Sequence, residues 1–235
     1  YDIYVQKRWT KFRLSAEFPI VSGTLGKSGT ETFGRDYSAF AFATEGSYEL
    51  SDVWTMKLQL GRAPGEDTAS SDANAFWFNP NYKVGNLMFS RNWRSVITHT
   101  GQDPVIRPFS KGVVNAKYAA LSGEGEYDRW SWTAGFLYAV ADETFKPGQV
   151  PFDYDLGKQA SDNNGNVLKT SDVAQEKDLG FEFFGGFKYH WNENTNFTGD
   201  LGVLFPGKYY AYQVTDNNGP TSKRWMWTLG VNIDF

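Results

Sequence analysis

Trp225-Met226-Trp227-Thr228-Leu229-Gly230-Val231-Asn232-Ile233-Asp234-Phe235 is the stretch that decides the fold. Trp225, Trp227, Leu229, Val231, Ile233 and Phe235 occupy every second position, and Met226, Thr228, Gly230, Asn232 and Asp234 fill the places between. A period of two describes a β-strand whose faces meet different surroundings, one apolar and one mostly polar. One such strand fits a soluble sandwich as well as a membrane wall, so the decision rests on whether the rest of the chain repeats it.

It does. Phe197, Gly199, Leu201, Val203 and Phe205 alternate, and so do Leu179, Phe181, Phe183, Gly185, Phe187, Tyr189 and Trp191. Trp130, Trp132, Ala134, Phe136, Tyr138 and Val140 follow the same rule, as do Val114, Ala116, Tyr118 and Ala120. In the first half, Trp54, Met56, Leu58 and Leu60 form the clearest hairpin with the segment from Phe40 to Leu50 across a turn at Ser51-Asp52. Phe12, Leu14, Ala16, Phe18 and Ile20 make an earlier strand, out of phase with Tyr1, Ile3 and Val5. A one-residue slip of phase turns every side chain to the other face, so the spacing predicts a tight turn around Lys7 to Trp9. Short apolar pairs, Phe76 with Phe78 and Leu87 with Phe89, predict two further strands around Asn79-Pro80-Asn81, where the proline weakens the prediction. The count from Phe12 onward is about ten strands, eleven with the opening segment.

The connections have a rhythm of their own. Short turns near 51, 128 and 192 alternate with long polar loops near 28, 68, 103, 160 and 217, and the stretch from about 142 to 177 has no period at all. Short turns on one side and long loops on the other are the asymmetry of transmembrane β-barrels. A sandwich has little reason for it. Composition agrees: of the 235 residues, 40% are hydrophobic, yet 17% are aromatic and nine are Trp. Few aliphatics with many aromatics suit strands that show lipid only one face and gather Trp and Tyr at the two interfaces. No run approaches the roughly 18 apolar residues of a membrane helix. The expected fold is an all-β, transmembrane antiparallel up-and-down barrel, with residues 1–235 as one domain and 142–177 as its long external loop.

The aromatic ending resembles the closing strand of Gram-negative outer-membrane barrels, where a terminal Phe after alternating hydrophobic residues belongs to the signal read by the insertion machinery. A wider resemblance rests on Tyr4-Val5-Gln6-Lys7-Arg8, Phe78-Asn79-Pro80-Asn81-Tyr82 and Leu204-Phe205-Pro206-Gly207-Lys208-Tyr209-Tyr210, which are similar to phrases of large porin-like barrels of the alginate-export type. That resemblance implies that the sequence is the C-terminal part of a larger barrel. The alternative is a complete ten-stranded one. The difference matters, because barrels of eight to ten strands are filled by side chains whereas larger ones hold an aqueous channel.

Alternation places Lys11, Arg13, Glu17, Glu45, Lys57, Lys117, Glu182, Lys188 and Asp200 on the inward face as pore-lining candidates. Both signs occur, without an arginine ladder. Trp54, Trp130, Trp132, Tyr189, Trp191, Trp225, Trp227 and Phe235 are the candidate membrane-interface aromatics. The sequence offers little for catalysis: His99 lies near Ser95 and Asp103, His190 lies beside Trp191, and neither proximity makes a triad. Absent Cys removes thiolate metal sites and disulfides. Asp162-Asn163-Asn164-Gly165 and Asp216-Asn217-Asn218-Gly219 lack the spacing of a calcium loop and read as turns. No cofactor, no metal and no enzyme activity are expected. A net charge of -4 with interspersed signs does not suit nucleic acid. The expected function is a bacterial outer-membrane porin-like channel for passive diffusion of small polar or charged solutes. The alternative is a narrow or plugged barrel whose external loops act in adhesion or in docking an envelope partner. Expected partners are outer-membrane lipid and lipopolysaccharide, the barrel insertion machinery through the C-terminal strand, small solutes, and other envelope proteins or further copies of the chain.

Overall fold

The computed structural model describes residues 1–26, 35–67, 72–90, 112–148, 152–153, 158–159, 173–211 and 221–233. Its strands are β1 (Asp2–Arg8), β2 (Phe12–Gly26), β3 (Arg35–Phe40), β4 (Phe42–Glu49), β5 (Trp54–Ala63), β6 (Ala116–Tyr127), β7 (Trp130–Ala141), β8 (Phe152–Asp153), β9 (Lys158–Gln159), β10 (Asp178–Asn192), β11 (Thr195–Pro206) and β12 (Arg224–Ile233). β8 and β9 pair only with each other. The other ten make one antiparallel sheet in the order β1-β2-β4-β5-β6-β7-β10-β11-β12, with β3 also on β2. Every strand is hydrogen-bonded to the next wall strand in sequence, the up-and-down topology that the period of two implies. Among the described residues no helix is long and apolar enough to cross a membrane.

β3 and β4 are two halves of one wall strand. Ile20 opposes Phe40 and Glu17 opposes Ala43, a single unbroken register. Between the halves sits Ala41, whose N–H donates to the carbonyl of Pro19 at 3.1 Å. Pro19 has no N–H to return, so the ladder is interrupted there.

Turns Trp9–Lys11, Leu50–Val53, Asp128 with Arg129, and Glu193 with Asn194 join the strands at one end of the sheet. Trp9 N–H closes the first on the Phe12 carbonyl at 2.7 Å, which moves the expected turn to the residues just after Arg8. Asp128 holds φ at 53°, a left-handed conformation that Asp tolerates better than most residues. All long connections leave from the opposite end.

The two faces differ as the alternation requires. On the outer face Trp54, Met56, Leu58, Leu60, Leu121, Phe136, Tyr138, Phe183, Leu201, Trp227, Leu229, Val231 and Ile233 are exposed. The inner face carries the buried core. There a segment of residues 73–90, joined by residues 112–115, folds back onto the sheet: Phe78, Val84, Leu87, Met88, Phe89 and Val113 pack against Ala41, Ala63, Tyr118, Ala120, Leu137, Ala139, Leu179 and Leu204. Each of the Val, Leu, Met and Phe side chains, when fully buried, contributes roughly 1.5–3 kcal/mol.

This segment corrects the expected strand list. Phe76 to Phe78 and Leu87 to Phe89 are not strands; β5 pairs directly with β6, and residues 64–115 are one connection between them. The apolar alternation there belongs to an in-folded layer. The same layer corrects the phase of β6. Ala116, Tyr118 and Ala120 point inward, because the in-folded layer offers them an apolar surface, Val114 is buried just before the strand, and Lys117 points outward beside Arg62, opposite which it pairs.

Candidate functional site

The inner face near the short-turn end is not covered by the in-folded segment. A cavity of about 670 Å³ remains there, walled by β2, β4, β5, β6, β7, β10 and β11 and roofed by Lys83, Gly85 and Asn86. Of the sequence candidates, Arg13, Glu45, Lys57, Lys188 and Asp200 line it. The chain alternates, so each strand turns every second side chain toward the same space, and seven of the lining side chains are charged.

The charges are largely held in place. Lys57 Nζ lies 2.6 Å from Glu124 Oε2, a half-exposed pair that orients both groups but stabilises little. Gln59 Nε2 donates to Glu45 Oε1 at 3.0 Å and to the Lys83 carbonyl at 3.3 Å. Thr228 Oγ1 donates to Asp200 Oδ2 at 3.1 Å. Four cations and three carboxylates line the cavity, so it presents mixed charge and no strong field of one sign. Lys83, Asn86 and Glu124 were not among the sequence candidates. Glu124 shares the misread phase of β6, and Lys83 and Asn86 enter only through the folding back of their segment, which periodicity does not report.

Four candidates lie elsewhere. Lys11 is in the turn between β1 and β2, where its carbonyl accepts from Glu49 N–H at 2.8 Å. Glu17 is on the inner face opposite Ala43, above the cavity. Lys117 is on the outer face, its Nζ 3.0 Å from Asp142 Oδ1. Glu182 is on the inner face but fully buried, 0% exposed, and it does not line the cavity. Its Oε1 accepts the N–H groups of Asn86 at 2.6 Å and Leu87 at 2.8 Å, and its Oε2 accepts that of Met88 at 2.7 Å. Asn86 Nδ2 donates in turn to the carbonyls of Gly185 at 3.0 Å and Leu201 at 2.9 Å. The roof is thereby fastened to β10 and β11. On its other side Tyr82 and Tyr118 share a hydrogen bond of 2.9 Å, and burial pushes the Tyr82 hydroxyl up to about 12.

At the long-loop end a polar belt seals the sheet. Asp142 receives Arg62 Nε at 2.8 Å and Nη2 at 3.0 Å, and Lys117 at 3.0 Å. Burial alone would raise its carboxyl; the bonds to Arg62 and Lys117 outweigh burial, and the net displacement is downward. Asn115, held at φ 48°, bridges Glu143 and Tyr209 through its amide.

The aromatics form two groups. Trp54, Trp130, Trp132, Tyr189 and Trp191 stand at the short-turn end, with Trp54–Trp132 centroids 5.5 Å apart and Trp130–Tyr189 4.6 Å apart. Trp225 and Trp227, at the start of β12, stand at the other end. Phe235, His99, Asp103 and Ser95, the 162–165 tetrapeptide and the 216–219 tetrapeptide lie outside the described residues. His190 sits near the turn after β10, its N–H donating to the Arg129 carbonyl at 2.9 Å. Among the described residues no group of His, Cys, Asp and Glu side chains is arranged to hold a metal.

The fold and this site define the class: an antiparallel up-and-down β-sheet of the outer-membrane barrel type, with a polar inner cavity. No family model and no curated protein matches the chain. Among solved structures, it is similar to OmpT, an outer membrane protein of Vibrio cholerae, at 10% identity and TM-score 0.42, over 99% of this chain and 54% of that one. It is also similar to the copper transporter OprC, at 16% identity and TM-score 0.39, over 100% of this chain and 31% of that one. The chain thus spans about half of the first and a third of the second.

Proposed function

We propose that this chain builds the wall of a bacterial outer-membrane channel that passes small polar or charged solutes by passive diffusion. The observation that carries this reading is the inner cavity: about 670 Å³, lined by charged side chains of both signs, on the opposite face from an exposed apolar surface. Lipid accounts for the apolar face, since soluble proteins rarely expose so continuous an apolar surface. Water accounts for the charged one. Trp54, Trp130, Trp132, Tyr189 and Trp191 anchor one membrane interface, and Trp225 and Trp227 the other. Balanced charge favours size over sign as the basis of selection.

The test is ion conductance of the full-length protein, folded in detergent and added to planar bilayers. Stepwise conductance is expected. A protein that shows the compact, heat-sensitive form on gels but never conducts would sink the channel reading. One observation favours the second reading, a plugged barrel working through its external loops: the in-folded segment already covers the upper inner face. Absent conductance in a folded sample would turn the assignment to that alternative.

A further inference from the structure

A carboxylate with no exposed surface, beside a polar cavity yet not lining it, needs a reason. Leaving it unpaired would cost several kcal/mol. Glu182 avoids that cost by accepting three successive backbone N–H groups, those of Asn86, Leu87 and Met88, at 2.6–2.8 Å. Successive amides converging on one anion form a nest, and bonds to an ionised acceptor are the strong ones. The amides can converge because Gly85 holds φ at +71°, where a Cβ would meet Glu182 Oε2 and Leu137 Cδ2 at 2.9 Å. Ser90 closes the turn from behind, its Oγ donating to the Gly85 carbonyl at 3.1 Å.

We infer that Glu182 is the positioning residue of a lumenal constriction: its carboxylate holds Gly85 to Met88 across the inner face, and the place of that segment above the cavity sets the largest solute that passes. The size-limiting role rests on the channel reading above; the clamp does not. Asn86 is the second fastening, through the carbonyls of Gly185 and Leu201, which belong to the two strands that wall the cavity on that side. The clamp joins β10 to a segment about a hundred residues earlier, a separation of 94 to 96 positions, so no local propensity would hold the segment there.

Gln at position 182 is nearly isosteric but brings an N–H₂ to face the Met88 N–H, so it keeps part of the nest; Ala removes all of it. The chain has no Cys, so Met88→Cys supplies a single thiol at a site only 3% exposed. In that background, maleimide labelling of the folded full-length protein is expected to quicken at least about tenfold with Glu182→Ala and by less with Glu182→Gln. Gly85→Ala attacks the same contact from the segment side and leaves the wall sequence intact; it is expected to quicken labelling too, which covers the case in which Glu182→Ala does not fold. The same variants are expected to raise single-channel conductance and to admit larger sugars in liposome swelling. Labelling that stays at the parent rate in folded Glu182→Gln and Gly85→Ala proteins overturns the clamp, whatever the conductance. Faster labelling with an unchanged size limit overturns the constriction. Faster labelling in a protein whose parent never conducts leaves the clamp standing, overturns its size-limiting role and fells the channel reading.

Discussion

Asp142 sets the clearest single-residue test of stability. Its side chain is 2% exposed and receives a bidentate Arg62 and Lys117, so two half-exposed cations on the outer side of the sheet are tied to the cap that follows β7. Its carboxyl lies below the ordinary value, because Arg62 and Lys117 outweigh burial. A depressed carboxyl contributes stability that is fully present above the unfolded value of about 3.9 and is lost as pH falls through the lower folded value. Asp142→Asn is expected to lower the conversion temperature of the compact gel form at neutral pH, by about 1–3 kcal/mol in stability. The difference between the two proteins should shrink as acid takes the parent below pH ~3.9. A constant difference down to the lowest accessible pH would show that the ion pairs are not its source. None of this was legible beforehand. Asp142 begins a polar stretch without period, and its partners come from β5 and β6, brought together only by the pairing of strands. Arg13, Glu45, Lys57, Lys188 and Asp200 were legible, because alternation alone fixes the face of a strand residue.

At the scale of elements, alternation succeeds where one face is apolar and exposed and the other is polar, as in β2, β5, β7, β10, β11 and β12. It fails in β6, where Tyr118 packs over Gly61 on the inner face and Leu121 stands 48% exposed on the outer. In the upper half of that strand the inner face is apolar and the outer face carries Lys117, so period two loses its sign. It fails for the same reason at Phe76, Phe78, Leu87 and Phe89, whose apolar side chains cover the sheet from inside. Asn79-Pro80-Asn81 was the one signal against a strand there, since Pro cannot join a central ladder. The corrected phase is testable within adjacent residues. Leu121→Arg places a charge on the outer face and is expected to cost about 2–4 kcal/mol in folding into vesicles. Ser122→Arg, which enters the cavity, is expected to fold nearly as the parent and to change conductance. Equal losses from both, or a larger loss from Ser122→Arg, would contradict the phase described here.

For the whole molecule, the asymmetry of the connections is the feature that sequence and structure share most fully. The turns at 9–11, 50–53, 128–129 and 193–194 all fall at one end, beside Trp54, Trp130, Trp132 and Trp191, and the connections at 64–115, 142–177 and 207–223 at the other. What the sequence could not show is that residues 73–90 and 112–115 of the longest of these fold inward, and that β1 and β12 stand as the two ends of the sheet without pairing to each other among the described residues. An up-and-down wall in an outer membrane keeps its short turns on the periplasmic side and its long connections outside. A small epitope inserted after Asp52, in the turn between β4 and β5, should therefore be reached by antibody only once the outer membrane is opened. The same epitope inserted after Pro147 should be reached on intact cells. The alternation, the aromatic groups and the cavity would all survive a reversed insertion, so this measurement tests orientation apart from fold. Staining of intact cells at position 52 and not at 147 would place the cavity, which lies toward the short turns, on the outside. The Glu182 clamp would then screen solutes leaving the external cavity rather than those arriving from the loop side.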